Sequence, residues 1–158
     1  MAALQAHGNV VTHRDVVGIV DFAAHSCLPR FHLVDIASGR TSTLLVAHGR
    51  GSDPNNLGWV QKFSNRPGSN ASSEGSFLIG DIYVGKHGRS RRLYGLDPEN
   101  NMAAERAIVI HSASYVGNEI ARSQGRVGRS EGCFAIASDD LAVVLARLGP
   151  GRLLFASK

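Results

Sequence analysis

GRSEGCFAIASDDLAVVLARLGP, residues 128–150, passes from a polar turn through a short apolar run into an amphipathic segment. Leu141, Val144, Leu145 and Leu148 recur at i, i+3, i+4 and i+7, which gives a helix one apolar stripe facing a core. Ser138 is placed to cap that helix, Asp139 and Asp140 fall in its first turn and Arg147 in its last, each sign matching the helix dipole. Gly149 and Pro150 end it, and Arg152 to Ala156 reads as a final strand. Phe134 to Ala137 reads as a short buried strand leading into the helix. Cys133 therefore stands at a strand entrance, behind Gly132, braced from behind and open in front.

Upstream, the texture is mostly short strands. Val16 to Phe22, Arg30 to Ile36 and Thr43 to His48 are apolar or alternating runs separated by turn formers such as Pro29, Ser38 and Gly39, a spacing that suggests antiparallel neighbours. Residues 49–75 are rich in glycine, serine and asparagine, and ordered loops of that length are commonly functional. Phe77 to Val84 is the next strand, Leu93 and Tyr94 mark a short one, and Ala107 to Ile110 is an apolar run ending at His111. Asn118 to Ser123 suits one short helical turn. The reading is one mainly β domain over residues 16–158, preceded by a loose N-terminal arm, residues 1–15.

Bulk properties narrow the classes. A chain of 158 residues with 43% hydrophobic and 19% charged residues suits one globular domain with a proper core. No apolar stretch approaches the roughly 18 residues needed to span a bilayer, and the opening MAALQAHGNVVTHRD has no signal-peptide core. The net charge of +4 favours anionic surroundings. Few aromatics lie among the arginines at 89, 91, 92, 122, 126 and 129, so nucleic acid is not the expected partner. Two cysteines, Cys27 and Cys133, make neither a disulfide framework nor a four-cysteine zinc site. Cys27 reads as a small packing residue.

The setting of Cys133 suits a nucleophile. A thiol near pKa 8.5 is mostly protonated at neutral pH and needs a base or a positive field. Gly132 leaves room for a substrate carbonyl, turn N–H groups can receive an oxyanion, Ser130 can brace the turn, and Arg129 adds positive potential. The base must come from elsewhere. Seven histidines compete. His7, His13, His25 and His32 have ordinary surface or packing settings, and His87 sits in the tight turn Gly85-Lys86-His87-Gly88. His48 opens the long polar loop. His111 closes the most buried-looking strand, Ile108-Val109-Ile110-His111, and is followed by Ser112; a rigid strand end suits a general base.

His111 and, eighteen residues later, Ser130-Glu131-Gly132-Cys133 together resemble the histidine and Ser-x-Gly-Cys signature of the YkuD-type L,D-transpeptidase catalytic domain. The segments VDFAAHSCLPRFHLVDIASG, VAHGRGSD, FSNRPGSNASSEG, YVGKHGRSRRLYGLD and RAIVIHSASYV extend the resemblance over roughly residues 16 to 156. It implies a β-sandwich with a few short helices, including one near the C-terminus. It implies Cys133 as nucleophile, His111 as its activating base, Ser130 as a bracing residue and Gly132 as the glycine beside the oxyanion. The family pattern places an arginine two residues after the cysteine; here that position is Ala135, and Arg129 is the candidate substitute. His48 and Ser112 are further candidate substrate-side residues.

The implied reaction is acyl transfer on peptidoglycan. Cys133 would attack a tetrapeptide stem, release D-alanine and pass the thioester to an amine, or to water in a carboxypeptidase. No metal or other cofactor is implied, carbapenem-type acylating inhibitors are plausible ligands, and the setting is periplasmic or cell-envelope. Two other classes compete: a zinc wall peptidase using His48, Asp53 and His111, and a non-catalytic wall-binding domain.

Overall fold

Strand β1 (Val16–Asp21) shows how the chain is layered. Side chains alternate across a strand, and here both faces carry buried residues. Val16 and Val20 enter the main core, whereas Val17 packs with Leu4, Val11 and Leu153 on the opposite side. The computed structural model describes all 158 residues. It adds strands β2 (Phe31–Asp35), β3 (Thr41–Leu44), β4 (Gly75–Gly85), β5 (Gly88–Gly95), β6 (Val109–Ser112), β7 (Phe134–Ile136) and β8 (Leu153–Ser157).

These form one eight-stranded sheet in the order β3-β2-β1-β8-β4-β5-β6-β7. Neighbours are antiparallel except β1–β8 and β6–β7, which run parallel. Beyond β3 the chain crosses to the far edge, where Val46 bridges Ile136 and the Ala47 N–H donates to the Ala135 carbonyl at 2.9 Å. The sheet thus folds over on itself, and all eight strands contribute to a single core cluster of 20 buried residues. Three short helices complete the domain: α1 (Ala2–Ala6), α2 (Asn118–Gln124) and α3 (Leu141–Arg147). The mainly β, sandwich-like architecture with a C-terminal helix is the one expected from sequence.

Helix α3 presents Val144 and Leu148 to the core, with Leu141 packed beside them. Its start differs from expectation. Residues Ser138–Asp140 form a 3-10 turn and Ser138 makes no capping bond, because the turn uses the backbone instead: the Asp140 N–H donates to the Ala137 carbonyl at 3.0 Å. At the other end, the buried Arg91 guanidinium of β5 donates to the Leu145 carbonyl. A cation on the last helical turn is favoured by the dipole, and this one ties helix to sheet.

Three further differences have physical causes. The N-terminal arm is not loose: Leu4 and Val11 are buried over the outer face of β1 and β8. Strand β5 is much longer than Leu93-Tyr94, because its alternation is carried by arginines; Arg91 points inward and Arg92 stacks on Tyr83 at 4.1 Å. The strand expected to run to His48 stops at Leu44, since the chain must turn to reach β7. No helix is long and apolar enough to cross a membrane.

Candidate active site

Parallel strands β6 and β7 align Ile110 with Phe134 and His111 with Ala135. Ile110, Phe134 and Ile136 face the core, so the two-residue period of a strand puts Val109, His111, Cys133 and Ala135 on the other face. There Val109, His111 and Cys133 line a cavity of about 550 Å³. The parallel pairing thus brings His111, in β6, and Cys133, just before β7, to one cavity although they are distant in sequence.

The loop before Cys133 is held by its own chemistry. Gly132 has φ +112°, and a Cβ there would lie 2.7 Å from the Ala71 carbonyl oxygen; only glycine meets both demands. The Ser130 hydroxyl donates to the Cys133 carbonyl at 2.7 Å and accepts the Gly132 N–H at 3.2 Å. Gly132 contributes backbone shape, its N–H being engaged by Ser130, whereas the Cys133 N–H makes no intramolecular hydrogen bond. The loop is also stitched to the chain beyond β3: the Ser130 N–H donates to the His48 carbonyl at 3.0 Å, and the Arg50 N–H to the Ser130 carbonyl at 2.8 Å.

Protonation follows from burial and partners. The Cys133 thiol donates to the Ala107 carbonyl at 3.4 Å. Burial pushes its pKa up, opposed by the Val109 N–H and by the cations Lys86 and Arg106. His111 is only 1% exposed. Its Nδ1 lies 2.9 Å from the Ser112 carbonyl; a carbonyl can only accept, so Nδ1 carries the proton and Nε2 is the free basic nitrogen. Burial holds the His111 pKa below its usual value, and the nearby His87 and Lys86 lower it further. The resting pair is a neutral thiol and a neutral imidazole.

A family model described as L,D-transpeptidase catalytic domain matches residues 1–157. The chain belongs to that family. No curated protein gives a significant match. Among solved structures it is similar to an L,D-transpeptidase from Mycobacterium smegmatis, at 14% identity and TM-score 0.53, covering 91% of this chain and 59% of that one. An L,D-transpeptidase from Stackebrandtia nassauensis matches at 12% identity and TM-score 0.55, covering 93% and 57%. L,D-transpeptidase 3 from Mycobacterium tuberculosis, in complex with a faropenem-derived adduct, matches at 12% identity and TM-score 0.53, covering 91% and 60%. This chain therefore spans less than two thirds of the length of these solved relatives.

Within this L,D-transpeptidase domain the remaining sequence candidates divide. Arg129 lines the cavity, with one Nη donating to the Asp53 carbonyl at 2.7 Å. Ser112 acts through its backbone carbonyl, which orients His111, and its side chain is not at the cavity wall. His48 does not line the cavity. It is 1% exposed; its Nδ1 accepts from Arg30 at 2.9 Å and its Nε2–H donates to Asp53 at 3.0 Å. Burial and the adjacent Arg30 guanidinium lower its pKa to about 4, and that same cation disfavours a metal ion at His48 and Asp53. No three His, Cys, Asp or Glu side chains are grouped to hold a metal. Ala135 is fully buried against Leu45, Ala47, Val116 and Val127, so an arginine at this position would have to displace packed apolar groups.

Sequence reading passed over other wall residues. Arg106 donates to Ser64 O, Ser73 Oγ, Ser69 Oγ and Ala71 O at 2.7–3.1 Å, and so fastens the serine-rich loop to the cavity wall. The loop's own hydroxyls help: Ser72 Oγ accepts the Gly49 N–H, and Ser52 Oγ the Ser72 N–H, both at 2.9 Å. Arg106 adjoins the apolar run 107–110, and a charge beside a strand carries no signal of its destination. Lys86, His87 and Tyr115 also line the cavity. The two cysteines are free thiols, and Cys27 lies elsewhere, its N–H donating to His25.

Proposed function

We propose that this domain is a cysteine-dependent L,D-transpeptidase acting on peptidoglycan stem peptides in the cell envelope, with Cys133 as nucleophile and His111 as base. The observation that carries the reading is that Cys133, just ahead of β7, and His111, in the parallel neighbour β6, line one cavity. His111 Nε2 takes the Sγ proton as sulfur bonds to the carbonyl carbon at the L-centre of diaminopimelate. The Cys133 N–H is free to receive the oxyanion that develops. Collapse breaks the C–N bond to D-alanine, whose amine leaves with the proton held on His111. An acceptor amine, or water in the carboxypeptidase variant, then loses a proton to His111, attacks the thioester and restores the thiol. The cavity wall carries Arg50, Lys86, Arg106 and Arg129 against Glu105 and Glu131, a cationic balance that suits stem-peptide carboxylates.

Intact-mass spectrometry with a carbapenem and with tetrapeptide-stem muropeptide tests this. An adduct on Cys133 is expected, lost in Cys133→Ser and slowed in His111→Ala. An adduct mapping to Cys27, or none at all, would overturn the assignment.

A further inference from the structure

The β4–β5 hairpin is the one element of the cavity that reaches in from a distance. Gly85 pairs with Gly88, leaving Lys86 and His87 at its tip, and Gly88 follows them with a positive φ of +82°, the place a glycine takes in a G1-type bulge. The strand register shifts between Ile79 and Ile82, a bulge that bends the ribbon. Gly85 leaves space for the Tyr83 ring, which in turn supports Arg92. The outcome is specific. The His87 ring lies flat on the His111 ring, centroids 3.9 Å apart and planes 9° from parallel.

We propose that His87 is a positioning residue for the base: its ring holds His111 by stacking, fixing the imidazole plane and keeping water off it. This rests on His111 being the base. The Ser112 carbonyl fixes one edge of the His111 ring, but a single hydrogen bond leaves the plane free to tilt about it. A parallel ring at 3.9 Å removes that freedom. Stacking also has a charge consequence, since two imidazolium rings at that separation repel and the pair disfavours a second proton. His87 is exposed and His111 buried, and burial holds the inner ring in its neutral form.

The other charges around His111 act together with the stack. Lys86 on the same hairpin tip, Arg106 and Arg129 on facing segments and Arg50 beyond them are cationic. Glu105 and Glu131 oppose them. Tyr83, Tyr115 and the Cys133 thiol complete the titratable wall, with Tyr115 pushed up to about 12 by burial and so neutral across the working range. None of these groups is altered by substitution at His87, which makes the comparison clean.

The test is the pH profile of Cys133 acylation by a carbapenem, read by intact mass between pH 5 and 9, for wild type, His87→Ala and His87→Phe. Each folded state is checked by thermal melting, and the His111 imidazole is titrated by nitrogen NMR in all three. Loss of the ring exposes His111, and relief of its burial raises the pKa of the base. The acid limb of His87→Ala should move up by about 0.5–1 pH unit, with rates below the limb falling about 3–10-fold. His87→Phe keeps the flat cover and should hold the limb near wild type. A His87→Ala limb that coincides with wild type, or Ala and Phe variants with the same limb, would overturn the proposal. If wild type is not acylated at all, the enzyme reading fails, and an upward His111 shift in His87→Ala alone would still uphold the stack.

Discussion

Acidification from pH 7.5 to 4.5 should destabilise the domain through His48, and the size of the effect follows from the buried cluster it belongs to. Arg30 is fully buried, donates to the Val46 carbonyl at 2.7 and 3.1 Å, and stands 5.1 Å over the Phe22 ring. Asp53 accepts N–H groups from Leu57 and Gly58 at 2.8 Å besides His48. His48 between them is neutral, its pKa lowered from 6.5 to about 4. The unfolded chain binds a proton near pH 6.5 that the folded chain refuses until about pH 4. Stability is therefore full above pH 6.5 and lost as pH falls between the two values, reaching about 2.5 kcal/mol by pH 4.5. His111 shifts in the same direction, so the informative quantity is the difference between wild type and His48→Gln, which cannot titrate. At an m-value of about 2 kcal/mol/M, the urea midpoint of wild type should fall by roughly 1 M more than that of His48→Gln over this range. Equal shifts in the two proteins would show that His48 is not held neutral between Arg30 and Asp53.

Gly132→Ala forces a side chain into a φ of +112° and against the Ala71 carbonyl, costing about 1–3 kcal/mol from backbone strain alone; displacement of the thiol should slow carbapenem acylation by about 100-fold, and an unchanged rate would show that the loop tolerates Cβ. Ser130→Ala deletes both hydroxyl bonds of the Cys133 loop and should cost about 1–3 kcal/mol by urea titration, with slower acylation. Arg106→Ala frees the loop it holds at Ser64, Ser69, Ala71 and Ser73; limited proteolysis should cut residues 64–73 in the variant well before wild type.

Part of this protein is legible along the chain because the relevant physics is local. The period of Leu141, Val144, Leu145 and Leu148 names a helix face without reference to anything else, and the short apolar run Val16-Val17-Gly18-Ile19-Val20 does the same for a strand. Gly132, Ser130 and Cys133 act on one another within three residues, so their clamp could be foreseen as a unit. The departure at Ser138 is also local, the turn being closed by backbone bonds; that at β5 is not, because Arg91 is buried to reach the Leu145 carbonyl of α3, far along the chain.

The rest depends on which surfaces meet. His48 looks like a substrate-side histidine until Arg30, eighteen residues before it, and Asp53, five after, close on both its nitrogens. Arg106 finds its four acceptors 33 to 42 residues upstream. His87 reads as an ordinary turn residue, and only the bent β4–β5 ribbon lays it on His111. What the sequence by itself determined is the set of elements and the chemistry of the Ser130–Cys133 turn, since both arise from neighbours in the chain. What only the tertiary structure decided is the electrostatic setting of the base and the thiol, because a pKa depends on every charge and every exclusion of water around a group, and those come from strands far apart in sequence.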